Sequence, residues 1–217
     1  MEMGNRAHAL GRSVLIMFSY EKRLEYPIKI TKPNAQIAQV IMSQYGGPDG
    51  ELGASMRYLS QRYAVPYREV AGLLTDIGTE ELSHLEMVAT IVHQLTKDLT
   101  MDEIKEYGFD KYYVDHTLGI WPQAAGGVPF SSTEFQSKGD IITDLMEDLA
   151  AEQKARTTYD NILRLVHDPE VCDPIRFLRE REIVHFQRFG EALRMVQERL
   201  DSKNFYAVNP GFDKNSR

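Results

Sequence analysis

Apolar residues recur along four long stretches of the chain at intervals of three and four positions. This spacing is typical of helices that bury one face. It is clearest from Val70 to Leu95 and again from Ile175 to Val196. The pattern predicts an all-α protein whose four long helices pack as a four-helix bundle. The predicted helices cover residues 34–63, 65–97, 138–167 and 173–200.

Capping signals place several of these boundaries. Asn34 is the expected N-cap of the first helix, because its side chain can accept a hydrogen bond from the first turn. Pro66 suits the first turn of the second helix, where a missing N–H costs little. Asp168-Pro169 is expected to end the third helix, and the fourth is expected to start near Asp173-Pro174.

The first predicted helix is interrupted by a glycine- and proline-rich run directly before Glu51. The run is Gly46-Gly47-Pro48-Asp49-Gly50. Such residues kink or bulge a helix, and they also separate one helix from the next. The sequence leaves both arrangements open: a single kinked helix, or two helices with the second starting after Gly50.

Residues 98–137 lack the helical pattern except for a short predicted helix at 101–107. A connection of this length can cross a bundle from end to end and so join two helical hairpins. The predicted bundle spans residues 20–200, beginning with an extended entry segment at 20–33. Residues 1–19 are expected to be a disordered leader, with Met17 as an alternative start, and 201–217 a surface tail.

Composition narrows the function classes. The chain of 217 residues has 42% hydrophobic and 26% charged residues, which fits one soluble globular domain. Its net charge of −7 comes without a basic run, which argues against nucleic acid as a partner. Cys172 is the only cysteine, so no internal disulfide or thiolate cluster can form. No apolar run suits a membrane span or a signal peptide.

Eight polar residues interrupt the apolar faces in two matching sets, each member 101 residues from its counterpart. The pairs are Glu51 and Glu152, Tyr58 and Tyr159, Glu81 and Glu182, and His84 and His185. Glu81 and His84 occupy positions where leucine or isoleucine would be expected. Glutamates from four helices together with two Glu-x-x-His motifs are the pattern by which a four-helix bundle holds two metal ions.

The expected burial of these carboxylates strengthens the metal hypothesis. Each uncompensated buried ion costs on the order of several kcal/mol. Four such ions would cost more than the whole free energy of unfolding of a marginally stable domain. The carboxyl groups must therefore be protonated or be neutralised by two divalent cations. Carboxylate and imidazole ligands suit manganese and iron equally. The competing interpretation is an internal duplication with solvated glutamates and two core histidines.

Several motifs resemble those of the manganese catalase family, over roughly residues 20–205. They are Tyr45–Glu51 (YGGPDGE), Thr79–Glu86 (TEELSHLE), Glu152–Arg156 (EQKAR) and Phe177–His185 (FLREREIVH). Two others, Phe135–Asp140 (FQSKGD) and Asp201–Tyr206 (DSKNFY), are similar to the spore-coat branch of that family, the J-C type. The resemblance implies a ferritin-like bundle and a non-haem dimanganese centre, with iron as an alternative metal.

The resemblance also implies a role for each residue. Five of them match the family's metal ligands, namely Glu51, Glu81, His84, Glu152 and His185. Glu81 matches the carboxylate that bridges both metals; Glu51 and His84 would hold one ion, and Glu152 and His185 the other. Glu182 matches an unligated proton-transfer group, although the repeat alone would make it a sixth ligand. Tyr58 matches a tyrosine that contacts a ligand.

Two departures from the family pattern affect these expectations. Ala151 stands where well-described members carry an arginine that helps to close the metal pocket, and Arg156, one turn later, is a candidate substitute. The chain is also shorter at its C-terminus than the classical enzymes, whose tails wrap neighbouring subunits. A homo-oligomer is expected, and the family resemblance implies a hexamer.

The resemblance implies disproportionation of hydrogen peroxide to water and dioxygen. It further implies synthesis in the cytoplasm and a place in the spore coat of a spore-forming bacterium, with other coat proteins as partners. Two alternatives remain open. One is a structural coat protein whose metal site stabilises the bundle with little activity; the other is a di-iron, ferritin-like oxidase or peroxidase.

Overall fold

The computed structural model describes residues 21, 23–112 and 120–200. Its helices are α1 (Ala35–Gly46), α2 (Glu51–Gln61), α3 (Arg68–Thr96), α4 (Met101–Glu106), α5 (Ile141–Leu165) and α6 (Pro169–Arg199). Two 3₁₀ turns and one isolated β-bridge, between Gln123 and Pro129, lie in the long connection, and no strand occurs in these described ranges. The predicted leader, 1–19, and the tail, 201–217, lie outside the described residues.

The helices form the predicted four-helix bundle. α2 packs along α3, and α5 packs along α6, so each pair makes a helical hairpin, while α1 extends the α2 side of the bundle against α3 and α5. The connection between the hairpins crosses the length of the bundle. Leu95, at the end of α3, belongs to one apolar cluster, and Ile141, at the start of α5, belongs to the other.

The run before Glu51 separates two helices, which decides between the two arrangements that the sequence left open. Gly47 and Gly50 both have extended backbones, and the Gly50 N–H donates to the Gly47 carbonyl at 3.0 Å in a tight turn. Gly46 ends α1 against the crossover. A Cβ on Gly46 would lie 2.3 Å from the Gln123 nitrogen, so only glycine permits this approach.

The helix boundaries follow the capping signals with two exceptions. Pro66 was expected in the first turn of the second helix, but α3 begins at Arg68 with Tyr67 as its N-cap, so Pro66 lies just before the helix. Asn34 caps α1 as predicted, accepting a hydrogen bond from the Ile37 N–H at 2.9 Å. The prediction that the fourth helix starts near Asp173 was wrong. α6 begins at Pro169, because the Asp168 side chain caps it and proline needs no partner for an N–H at the first helical position. Pro174 therefore lies inside α6.

Two apolar clusters enclose a polar segment in the middle of the bundle. Along α3, Leu74 and Ile77 belong to one cluster and Val88 to the other, with Glu81 and His84 between them. α6 runs through the same clusters in the opposite order. The polar segment is therefore closed at both ends by apolar packing, which keeps water away from it. Among the described helices, none is long and apolar enough to cross a membrane.

Candidate metal centre

Six predicted site residues meet in the bundle interior. They are Glu51, Glu81, His84, Glu152, Glu182 and His185, and we call this group the cage. Each is at most 2% exposed. α2 and α5 each contribute one glutamate, while α3 and α6 each contribute a Glu-x-x-His pair. The three-residue spacing places both members of a pair on one helix face, because residues three apart are neighbours on a helix.

Glu81 lies at the centre of the cage. Its Oε2 is 2.8 Å from Nδ1 of His84, and its Oε1 is 2.8 Å from Nδ1 of His185. The two imidazole rings lie nearly parallel, with 5.5 Å between their centroids. A single carboxylate thus contacts both histidines, with one oxygen directed to each.

The outer glutamates complete two similar half-sites. Glu51 Oε2 lies 3.9 Å from His84 Nδ1, and Glu152 Oε2 lies 3.5 Å from His185 Nδ1. Each half-site therefore has one histidine and one glutamate of its own, and the halves share Glu81. This approximate symmetry follows from the spacing of 101 residues between equivalent positions.

Two buried tyrosines hold the outer glutamates, and each reaches across to the other half. The Tyr58 hydroxyl donates to Glu152, and the Tyr159 hydroxyl donates to Glu51. Burial, together with these carboxylates, raises the pKa of both phenols well above the ordinary value, so both remain protonated donors. The sequence assigned a role only to Tyr58, although the matching register pointed equally to Tyr159.

The electrostatic environment separates the glutamates of the cage. Burial raises the pKa of Glu182 well above its usual value, and the charges of Glu152, Glu51 and Glu81 raise it further. Burial and the neighbouring Glu81 do the same to the pKa of Glu51. Burial also opposes ionisation of Glu81, but the two imidazoles outweigh it and hold the pKa of Glu81 well below normal.

The histidine on α6 responds to the same charges. Burial lowers the pKa of His185, but Glu81 and the other nearby carboxylates outweigh burial and raise that pKa to about 12. This imidazole is therefore protonated at neutral pH unless a cation takes the place of the proton. Uptake of a metal ion at Nδ1 must release that proton.

The donor atoms of the cage fit divalent cations. Four buried atoms of the cage make no well-aligned hydrogen bond among the described residues, namely Glu81 Oε1, Glu152 Oε2, Glu182 Oε1 and His185 Nδ1. Glu81 Oε1 and His185 Nδ1 lie 2.8 Å apart, but not in hydrogen-bonding geometry. Such atoms are costly to bury unless something satisfies them. Glu81, His84, Glu182 and His185 present ligand atoms within 4.8 Å of one another. Oxygen and imidazole nitrogen donors suit manganese or iron.

Comparison with known proteins agrees with this donor set. The family model for manganese containing catalase matches residues 17–209. The chain belongs to the manganese catalase family.

Relatives within this family cover most of the chain. Protein CotJC of Bacillus subtilis strain 168 is 50% identical over 190 residues, which are 88% of this chain and all of that protein. A probable manganese catalase of Clostridium acetobutylicum is 36% identical, over 87% of this chain and 85% of that protein. The crystal structure of KatB, a manganese catalase from Anabaena PCC7120, matches with a TM-score of 0.76 at 30% identity, covering 83% and 81% of the two chains. The predicted family, its J-C branch and the ferritin-like fold are confirmed.

One half of the centre in this family member has polar neighbours that the sequence did not reveal. Gln61 Nε2 donates to Asp148 Oδ1 at 2.9 Å and to Ser137 Oγ at 3.0 Å. Arg57 is buried close by, so that its charge acts on both Asp148 and Tyr58. The position equivalent to Gln61 in the other half is the apolar Ile162. These polar residues lie outside the repeated motifs, so the motif spacing gave no signal for them.

Arg156 does not replace the family's pocket arginine. Its Nη1 pairs with Asp160 at 2.7 Å, and its Nε donates to Gln153 at 2.9 Å. Both partners belong to α5 itself, and the side chain is partly exposed. Arg156 is thus held on the surface of its own helix by these contacts. It does not supply the arginine that the family carries at the position of the buried Ala151.

Proposed function

We propose that this protein is a non-haem dimanganese catalase that disproportionates hydrogen peroxide to water and dioxygen. The observation that carries the proposal is the position of Glu81, whose two oxygens each lie 2.8 Å from Nδ1 of a different histidine. A carboxylate that faces two imidazoles in this way is suited to bridge two metal ions. Membership in the family supports manganese as the metal.

In this proposal each half-site binds one ion. Glu51 and His84 would hold the first, Glu152 and His185 would hold the second, and Glu81 would be shared by both. When bound, two manganese ions supply the electron pair that one peroxide receives and the next peroxide returns. Tyr58 keeps Glu152 oriented by donating its hydroxyl hydrogen to that carboxylate.

Glu182 is the proposed proton-transfer residue. Reduction of one peroxide to two waters consumes two protons and two electrons, and oxidation of the next peroxide to dioxygen returns them. Glu182 Oε1 is buried and makes no hydrogen bond to the described residues. Burial raises its pKa and the neighbouring carboxylates raise it further, so the carboxyl group can hold a proton in one half-reaction and accept one in the other.

The biological setting is proposed from the relatives. Protein CotJC is 50% identical to this chain and aligns over its whole length. From this similarity and the J-C type motifs we infer that this protein is made in the cytoplasm and becomes a component of the spore coat. A homo-oligomer, by family resemblance a hexamer, would then contact other coat proteins. The bundle proposed for residues 20–200 is the unit that would assemble.

Metal analysis combined with oxygen measurement tests the activity. Purified protein is loaded with manganese, its metal content is determined by elemental analysis, and dioxygen is followed with an electrode after peroxide is added. We expect two manganese ions per chain and one dioxygen released for every two peroxides. Consumption of dioxygen would instead identify an oxidase. Bound metal without dioxygen release would favour the structural role. Glu81→Ala, which removes the bridge, serves as the inactive control.

A further inference from the structure

The outer nitrogens of both histidines face one carboxylate that the proposed mechanism does not use. Oε1 of Glu80 lies 3.2 Å from His185 Nε2 and 3.6 Å from His84 Nε2. Both Nε2 atoms are buried, and neither makes a well-aligned hydrogen bond to the described residues. Glu80 is therefore the acceptor best placed for both rings, on the side opposite to Glu81.

Arg181 holds Glu80 in this position. The Arg181 Nε donates to the same Oε1 at 2.6 Å. The two residues occupy equivalent positions of the repeat, each directly before the glutamate of a Glu-x-x-His motif. The halves differ here by an acid and a base, and the two side chains pair with each other between α3 and α6. A single ion pair thus lies at the junction of the two half-sites.

The chemistry of metal-bound histidine suggests a role for the Glu80–Arg181 pair. A histidine that binds metal through Nδ1 carries its hydrogen on Nε2, and an acceptor at Nε2 fixes the tautomer and the ring orientation. We propose that Glu80, held by Arg181, is a positioning residue shared by both imidazoles, so that the affinities of both metal ions depend on it. This inference rests on the dinuclear site of the proposed function.

Glu25 offers a matched comparison, because it approaches only one of the rings. Its Oε2 lies 3.7 Å from His84 Nε2 and accepts a hydrogen bond from Ser83 Oγ at 2.8 Å. No contact between Glu25 and His185 is found among the described residues. A change at Glu25 can therefore disturb one half-site, whereas a change at Glu80 should disturb both.

Titration of manganese into metal-free protein, in competition with a chromophoric chelator, tests the inference. Glu80→Gln keeps the shape of the side chain and removes its charge, and we expect both binding steps to weaken about 10- to 100-fold. Glu25→Gln should weaken no more than one step. Glu180→Gln, the same change at an exposed position of α6, should weaken neither. The electron paramagnetic resonance spectrum of the manganese-loaded Glu80→Gln protein should also change, since ring orientation affects the metal environment.

The outcomes separate this inference from the proposed function. Affinities of Glu80→Gln within twofold of wild type at both steps would overturn the role of Glu80, and weakening of one step only would overturn the sharing. If Glu80→Gln does not fold, Arg181→Gln releases the same carboxylate and should weaken both steps to a smaller extent; unchanged affinities would again overturn the inference. Wild-type protein that takes up no pair of manganese ions would instead overturn the dinuclear site itself.

Discussion

Equivalent residues in the two halves of the cage acquire different chemistry from their neighbours. Glu81 and Glu182 occupy the same position of the repeat, yet Glu81 lies between two imidazoles and Glu182 lies among carboxylates. At Glu81 the imidazoles outweigh the effect of burial and hold the pKa well below normal, whereas at Glu182 burial and the surrounding carboxylates both raise the pKa. Residue type and spacing could not distinguish them, because each pKa depends on which groups surround the carboxyl group.

Glu182→Gln tests the division of labour between these two glutamates. The amide cannot exchange a proton with peroxide, so we expect turnover to fall by about 10²- to 10⁴-fold. The manganese content should stay at the wild-type level, because the proposed ligands are unchanged. Oxygen evolution and elemental analysis measure the two effects on one sample. Turnover close to wild type would remove Glu182 from the mechanism.

Asp148→Asn tests the polar neighbours of one half-site through the pH dependence of stability. Burial raises the pKa of Asp148 well above the unfolded value; Gln61 and Arg57 oppose the shift, while Glu152 and Asp144 add to it. The folded state then binds more protons than the unfolded state above the usual carboxyl range, so this group makes stability fall as pH rises. Removing this group should therefore favour the variant at high pH. The free energy of unfolding of Asp148→Asn minus that of wild type should be more positive at pH 7 than at pH 4.

Urea unfolding of both metal-free proteins at these two pH values gives the comparison. Because other carboxyl groups titrate in both proteins, the informative quantity is the difference between the two free energies of unfolding. A difference that does not change with pH would show that Asp148 titrates alike in the folded and unfolded chains.

Among the helices, the break between α1 and α2 positions the first ligand. Glu51 is the first residue of α2, and the extended backbone of Gly50 precedes it. A carboxylate at a helix N-terminus is favoured by the unpaired N–H groups there. The break also allows α1 to end against the crossover, where Gly46 contacts the backbone of Pro122 and Gln123. The glycine-rich run therefore serves both the ligand and the packing of the connection.

Two glycine substitutions test this packing. Gly46→Ala would place a methyl group 2.3 Å from the Pro122 carbonyl carbon, so the crossover must move, and we expect a loss of about 1–3 kcal/mol in stability. Gly72→Ala is the matched control in the exposed part of α3, where nothing lies within 4 Å of the new Cβ. It should stabilise by about 0.5–1 kcal/mol, as alanine does in a helix interior. Thermal unfolding of both variants measures the effects; equal stability of Gly46→Ala and wild type would contradict this packing.

For the molecule as a whole, the cage concentrates negative charge in a dry interior. Glu51, Glu81, Glu152 and Glu182 are buried among the four long helices, between two apolar clusters. Water cannot screen these charges, so bound cations and bound protons must balance them. The stability of the bundle should therefore be linked to metal binding.

Metal removal tests this link. Cations that bind only the folded chain stabilise it by about 2.7 kcal/mol per site when the free ion is at 100 times its dissociation constant. Treatment with a chelator should lower the midpoint of thermal unfolding, and added manganese should restore it. Glu81→Ala should respond much less to either treatment. If neither the chelator nor added manganese changed the midpoint of wild-type protein, a metal-bound interior would be contradicted.

The sequence predicted the helices and the cage more closely than it predicted the contacts around them. Periodicity identified every long helix, because burying one face of a helix requires a regular apolar pattern. The start of α6 was wrong because Asp168-Pro169 suits both the end of one helix and the start of the next. Arg156 was a poor candidate for the pocket because a spacing of one turn does not determine which partner a long side chain chooses.

By itself, the sequence determined the all-α architecture, the family and the set of polar residues placed on buried helix faces, since these depend on local periodicity and on motifs close together along the chain. Only the tertiary structure decided how those residues meet. In the structure each tyrosine hydroxyl donates a hydrogen bond to the glutamate of the opposite half. Glu80 lies near the Nε2 atoms of both histidines and pairs with Arg181. The physical reason is that such contacts depend on the rotation and relative height of packed helices. Both are set by side-chain packing across the whole core.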